Sequence, residues 1–159
     1  MSINLKSIYL LVLAISIMAL SLAYIVEYIM GILPCPLCIY ERFPYLLFIM
    51  TAIIGLSNSY SNNLSGYLVA ISLSAILLSV YHIGVQQGYF ELSYLCRPLV
   101  TIGDNLSVSE FVKLLYNKKE IPTCDRPGMI IFRVSMAMWN LYLNITFFII
   151  FLSSRKLKS

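Results

Sequence analysis

Charge is what this chain has least of. Only 11% of its 159 residues are Asp, Glu, Lys or Arg and 60% are hydrophobic, while the mean hydropathy is +0.85. A soluble globular domain carries about 25% charged residues, so the polar surface that water requires is missing. A polytopic membrane protein is expected, and disorder and collagen-like repeats are excluded. A basic patch is also missing. The net charge of +4 resides in Lys6, Arg155, Lys156 and Lys158 at the two ends, and the remaining seven basic and seven acidic residues cancel, which excludes nucleic acid as a partner. Histidine occurs once, and only one Cys-x-x-Cys is present. No second ligand pair completes a zinc site, because Cys96 and Cys124 are 28 positions apart and His82 falls in an apolar run, so no metal is expected.

The charge-free runs mark the spans. They cover 20 residues between Lys6 and Glu27, 48 between Arg42 and Glu91, and 21 between Arg133 and Arg155. One helix crosses a bilayer with about 20 apolar residues, so the first and last runs hold one helix each and the middle run holds two. The turn between those two is the loop-forming cluster Ser57-Asn58-Ser59-Tyr60-Ser61-Asn62-Asn63. The expected fold is therefore all-α, a single four-helix transmembrane domain over residues 1–159. Its helices lie at about 8–26, 36–56, 64–89 and 133–152, with outer loops at about 27–35 and 90–132. The second helix is short unless it takes in Glu41 and Arg42. The first resembles a signal peptide in its Ser21-Leu22-Ala23, but its apolar stretch runs on to Val26, longer than a typical signal core.

Four spans place both termini on one face. Counting Lys and Arg does not decide which, with four at the termini and seven opposite. The seven are offset by acids, and Lys113, Lys118 and Lys119 sit mid-loop. The terminal four lie close to membrane ends, unopposed, and favour cytoplasmic termini.

All four cysteines, Cys35, Cys38, Cys96 and Cys124, then fall on the other face and outside the spans. Disulfide chemistry in an oxidising compartment follows, a bacterial periplasm or an endoplasmic reticulum lumen. The first pair sits in Pro34-Cys35-Pro36-Leu37-Cys38-Ile39-Tyr40-Glu41-Arg42. Pro36 suits the first helical position, which makes Cys35 the N-cap and puts Cys38 in the first turn. Thiolates are stabilised at a helix N-terminus, and Cys-x-x-Cys spacing lowers a thiol pKa further. Arg42, four residues after Cys38, lies on the same helix face. It either stabilises a thiolate or a bound anion, or it only snorkels to the interface beside Glu41.

Cys96 and Cys124 bracket most of the long outer loop and read as a loop disulfide, structural unless it exchanges with another protein's thiols. Within that loop Ser107-Val108-Ser109-Glu110 resembles a capping box, and Val108, Phe111, Val112 and Leu115 follow helical spacing. A short amphipathic interfacial helix is expected there, with a partner-docking helix as the alternative. His82 and Gln86 form a polar i, i+4 pair in the third helix, and Gly84 between them admits a close neighbour. Polar groups at that depth are costly and commonly functional, or serve as an interhelical hydrogen bond.

Together these residues resemble the disulfide bond formation protein B (DsbB) family of bacterial inner-membrane thiol oxidases. The resemblance rests on Cys35-x-x-Cys38-Ile39-Tyr40-Glu41-Arg42 opening the second helix, His82-x-x-x-Gln86 ending the third, a loop cysteine pair, and Ser135-Met136-Ala137-Met138-Trp139-Asn140 after the last cysteine. In the related vitamin K epoxide reductase type the Cys-x-x-Cys follows the loop pair; here it comes first.

The resemblance implies disulfides Cys35–Cys38 and Cys96–Cys124 and a two-stage electron path. Cys96 is the cysteine attacked by a soluble thioredoxin-fold, DsbA-like oxidase, and Cys124 is its loop partner. Cys35 exchanges with the loop pair. Cys38 donates to a membrane quinone, ubiquinone or menaquinone, in a site made by Arg42, His82, Gln86, Met136 and Trp139. It also implies an inner-membrane protein with periplasmic cysteine loops. Two positions depart from the family pattern: Met129 stands where tryptophan is common, and Arg133 where a small residue is usual.

Overall fold

The computed structural model describes residues 5–57, 64–91, 96, 123–125 and 128–156. Its helices are α1 (Leu5–Tyr28), α2 (Pro36–Tyr40), α3 (Phe43–Ser57), α4 (Leu64–Gln86) and α5 (Met136–Lys156). A two-residue hairpin, β1 (Ile130–Ile131) and β2 (Val134–Ser135), pairs Ile130 with Ser135 and Ile131 with Val134. Four stretches are long and apolar enough to cross a membrane: Lys6–Tyr28, Pro36–Ser57, Leu64–Gln86 and Met136–Arg155. The protein is an all-α, multi-pass membrane protein. The interfacial helix expected near residues 107–115 and the turn at 58–63 lie outside the described residues.

The helix boundaries have local causes. Between α2 and α3 the chain makes a turn at Glu41 and Arg42. Pro44 explains it, because a proline lacks the N–H that would bond to the Tyr40 carbonyl and its ring would clash there. The second span therefore includes Glu41 and Arg42, as a break inside it rather than as helix. α4 stops at Gln86, three residues short of the expected Tyr89, because Gly88 takes φ +76° and the Tyr89 N–H turns back to the Gly84 carbonyl at 2.8 Å. α5 begins at Met136 instead of Arg133. Phe132 and Arg133 occupy the hairpin turn at φ 52° and 66°, and two consecutive positive φ values match the twist of a two-residue hairpin. Ser135 then accepts the Met138 N–H at 3.4 Å, an N-cap contact for α5.

α1 packs on α3, α4 on α5, and α3 joins the two pairs through α4. Near the termini their shared interior is apolar: Val12, Phe48, Leu68, Phe147 and Phe151 are buried. The Phe48 ring meets Phe147 edge-on at 5.2 Å and Phe151 at 5.9 Å. Gly55 lets α3 close on α1, since a Cβ there would stand 2.7 Å from the Tyr9 ring. Leu10, Met18, Met50, Leu77 and Ile149 point outward, as helices solvated by lipid require.

Candidate active site

The other end of the bundle holds the buried carboxylate, imidazole and thiols. Cys35 is the N-cap of α2: it is extended (φ −69°, ψ 160°), Pro36 follows at the first helical position, and the Cys38 N–H donates to the Cys35 sulfur at 3.3 Å. This is the arrangement that the Cys-Pro-x-Cys spacing predicts. All four cysteines are free thiols in this structure. The sulfurs of Cys35 and Cys38 lie 2.8 Å apart, so a small movement brings them to the roughly 2.05 Å of a disulfide.

The α4 histidine faces this pair. His82 Nε2 lies 3.5 Å from the Cys35 sulfur, and His82 Nδ1 lies 3.1 Å from Oε1 of Glu41, the residue at the α2–α3 break. Gln86, one turn on, places its amide nitrogen 3.3 Å from His82 Nε2. A carboxylate only accepts, so Nδ1 carries the proton and donates to Glu41. Nε2 faces Cys35 and the Gln86 amide, and in the neutral imidazole it is the acceptor. His82 is fully buried and Glu41 is 8% exposed. A cysteine, a histidine and a carboxylate in series form the arrangement that moves a proton to and from a sulfur.

Cys124 completes a sulfur cluster at the start of α2. Its sulfur is buried together with those of Cys96 and Cys35 beside Leu37. Cys35, Leu37, Val85, Cys96 and Cys124 form one buried cluster against which Cys38 and Tyr81 pack. The pKa values run against the helix-dipole expectation. The hydrogen bond to Cys38 and then burial push the Cys35 thiol up, and the His82 contact opposes them only in part. Burial likewise pushes the Cys124 thiol up. A helix of five residues contributes too little dipole to offset these terms.

On its other side the Cys35–Cys38 pair opens on a groove of roughly 1380 Å³ whose wall includes Arg42, Gln86, Met136, Trp139, Glu41 and Tyr45. Arg42 is held there by a 2.6 Å ion pair with Glu27 of α1 and stacks 4.9 Å over the Tyr24 ring. The Trp139 indole N–H donates to the Ile131 carbonyl at 3.3 Å, tying α5 to the hairpin. Met129 lines the groove and its carbonyl accepts the Met136 N–H at 3.4 Å. Arg133 sits in the hairpin turn. Deeper, Tyr45 hydrogen-bonds to Asn140, whose amide donates to Ser79 at 3.0 Å, and Asn144 donates to Asn140 at 3.0 Å.

The comparisons with known proteins concern the chain as a whole. The family model described as "Disulfide bond formation protein DsbB" matches residues 5–153, nearly the whole chain. The chain belongs to the DsbB family. An uncharacterized protein of Rickettsia prowazekii (strain Madrid E) is 40% identical over 141 residues, covering 88% of this chain and 81% of its own length. No solved structure matches. DsbB membership makes the protein a membrane disulfide-bond formation protein with disulfide oxidoreductase activity.

Of the residues that the sequence singled out in this DsbB chain, Arg42, Gln86, Met136 and Trp139 share the groove with Cys35 and Cys38. His82 does not line it; it stands behind Cys35. Although His82 lies in an apolar run, the end of α4 meets the start of α2 and brings it to Cys35. Glu27, Glu41, Tyr45 and Asn140 were not assigned roles. For Glu41 and Glu27 a signal existed: each is an acid at the border of a charge-free run with a basic or imidazole partner in reach.

Proposed function

We propose that the protein is a quinone-linked thiol oxidase of a bacterial inner membrane. It draws electrons from a soluble DsbA-like dithiol protein through Cys96 and Cys124, then through Cys35 and Cys38, into ubiquinone or menaquinone. One observation carries this reading: the Cys35–Cys38 pair has the loop thiols buried against it on one side and a largely apolar groove between the spans on the other.

The groove suits a quinone ring, being apolar with Arg42 and Gln86 as hydrogen-bond donors at the sulfur end. Arg42, Gln86, Met136 and Trp139 would hold a quinone there, which would supply an acceptor for two electrons and two protons. Cys38, half-buried and on the groove, is the donor; Arg42, fixed by Glu27, supplies positive charge for a thiolate or a reduced oxygen. Cys35 exchanges with Cys124. When a loop thiol attacks the Cys35–Cys38 disulfide, that bond breaks as a sulfur–sulfur bond to Cys35 forms. A second attack within the loop restores Cys96–Cys124 and releases Cys35, which is reprotonated through His82. Overall the partner dithiol loses two electrons and two protons. Driving that transfer needs a stronger acceptor at the end, with about 1.4 kcal/mol for every 30 mV in a two-electron couple. The termini face the cytoplasm and the cysteine end faces the periplasm.

Mixing the purified full chain with quinone and a reduced DsbA-like protein tests this. Quinone absorbance is expected to fall with one disulfide formed per quinone, and Cys38→Ser to abolish it. Absence of turnover, or turnover unchanged in Cys38→Ser, overturns the proposal.

A further inference from the structure

The strongest unassigned feature is the donor set itself. Cys35 Sγ, Cys38 Sγ and a His82 ring nitrogen all lie within 4.8 Å of one another. In a tetrahedral zinc site, bond lengths of about 2.3 Å to sulfur and 2.0–2.1 Å to nitrogen put ligand atoms roughly 3.3–3.8 Å apart. His82 Nε2 is already 3.5 Å from Cys35 Sγ. The two sulfurs, at 2.8 Å, must part by about 1 Å, a side-chain rotation.

Two further observations point to a metal. His82 Nε2 faces the Cys35 sulfur while Nδ1 is engaged by Glu41 at 3.1 Å, and in the neutral imidazole it offers its lone pair there. That carboxylate–histidine pair is the arrangement that orients imidazole ligands and raises their basicity in zinc sites. His82 is fully buried, and besides Glu41 its ring reaches the Gln86 amide and the Cys35 sulfur. The groove provides access to the fourth coordination position from the Cys38 side.

We propose that the reduced chain binds one Zn²⁺ through Cys35, Cys38 and His82, with Glu41 orienting His82 and water in the fourth position. Binding displaces the two thiol protons and transfers no electrons: Zn²⁺ plus two thiols gives a zinc dithiolate plus two protons. A metal-held pair can neither form its disulfide nor exchange with Cys124. The site is therefore an off-switch specific to the reduced state. The binding itself rests on geometry alone; its effect on turnover rests on the function proposed above.

Cobalt is the probe for the first experiment. The full chain in detergent is reduced, freed of reductant and metal, and titrated with Co²⁺. One equivalent is expected to give the intense visible bands of a tetrahedral thiolate–imidazole site, displaced by one Zn²⁺. The same protein oxidised to the Cys35–Cys38 disulfide gives no such bands, a control that needs no substitution and preserves the fold. Cys96→Ser/Cys124→Ser retains the bands, His82→Gln changes their energy and intensity, and Glu41→Gln weakens Zn²⁺ binding about 10- to 100-fold. Bands that persist in the oxidised protein, that vanish with the loop cysteines, or that are identical in His82→Gln overturn the proposal, as does the absence of tetrahedral bands in the reduced protein. None of these readouts involves quinone, so they stand or fall apart from the oxidase activity.

Discussion

The two ends of the bundle solve different problems with the same four spans. Near the termini, Phe48, Phe147 and Phe151 interlock in an interior whose large side chains are apolar. At the other end Glu41, His82 and Cys35 are buried in series, and Arg42 is held by a single carboxylate. Lipid does not drive helices together by exclusion as water does, so packing and a few hydrogen bonds must supply cohesion. One end does this by shape. The other holds groups that are costly to bury, the same groups to which the proposed chemistry is assigned.

Substitutions that act at one end only are the way to break this comparison. The largest effect is expected for His82→Phe, which removes the proton acceptor beside Cys35. Oxidation of the reduced partner should slow about 10²- to 10³-fold, and the double variant Glu41→Gln/His82→Phe, which leaves no unpaired buried carboxylate, should be equally slow. A loss below tenfold in the double variant would separate His82 from the chemistry. Phe48→Ala at the opposite end should cost on the order of 3 kcal/mol of stability, read by thermal denaturation in detergent, with activity per folded molecule unchanged. A fall in specific activity would show the two ends to be coupled.

Two glycines sharpen the same contrast. A Cβ on Gly55 would meet the Tyr9 ring, and one on Gly84 would clash with the Phe90 ring. Both alanine variants are expected to lose about 1–3 kcal/mol. Only Gly84→Ala, which dislodges the ring stacked 5.7 Å from Tyr81, should also slow exchange with the soluble partner. The smallest effect is expected on binding. Arg42→Ala should raise the quinone KM about tenfold, or 1.4 kcal/mol, leaving the partner's KM unchanged. Glu27→Gln should do the same more weakly, because the guanidinium keeps its charge but loses its anchor. An unchanged quinone KM in Arg42→Ala would remove Arg42 from that role.

Much of this was legible in the sequence, for reasons that can be named. Spans followed from charge scarcity, and the N-cap geometry of Cys35 followed from Pro36. Gly84 announced a close neighbour, which proved to be Phe90. What could not be read was set by tertiary contact or by local φ. The end of α4 depended on Gly88, and the start of α5 on two non-glycine residues at positive φ. The high thiol pKa of Cys35 came from Cys38 and burial, which outweigh a short helix. The Glu41–His82 contact joins residues 41 positions apart, and no periodicity in a single chain reports such a pairing.

The break at Glu41 and Arg42 also bears on how the protein is made. These neighbours have opposite charges, yet each pairs elsewhere, Arg42 backward across 15 positions to Glu27 and Glu41 forward to His82. As the chain emerges from its N-terminus, Glu27 meets its partner when the second span arrives. Glu41 has no imidazole until the third is in place. The proton-carrying part of the site is therefore assembled last but one among the spans, and a chain arrested after two of them holds its arginine clamp but not its base.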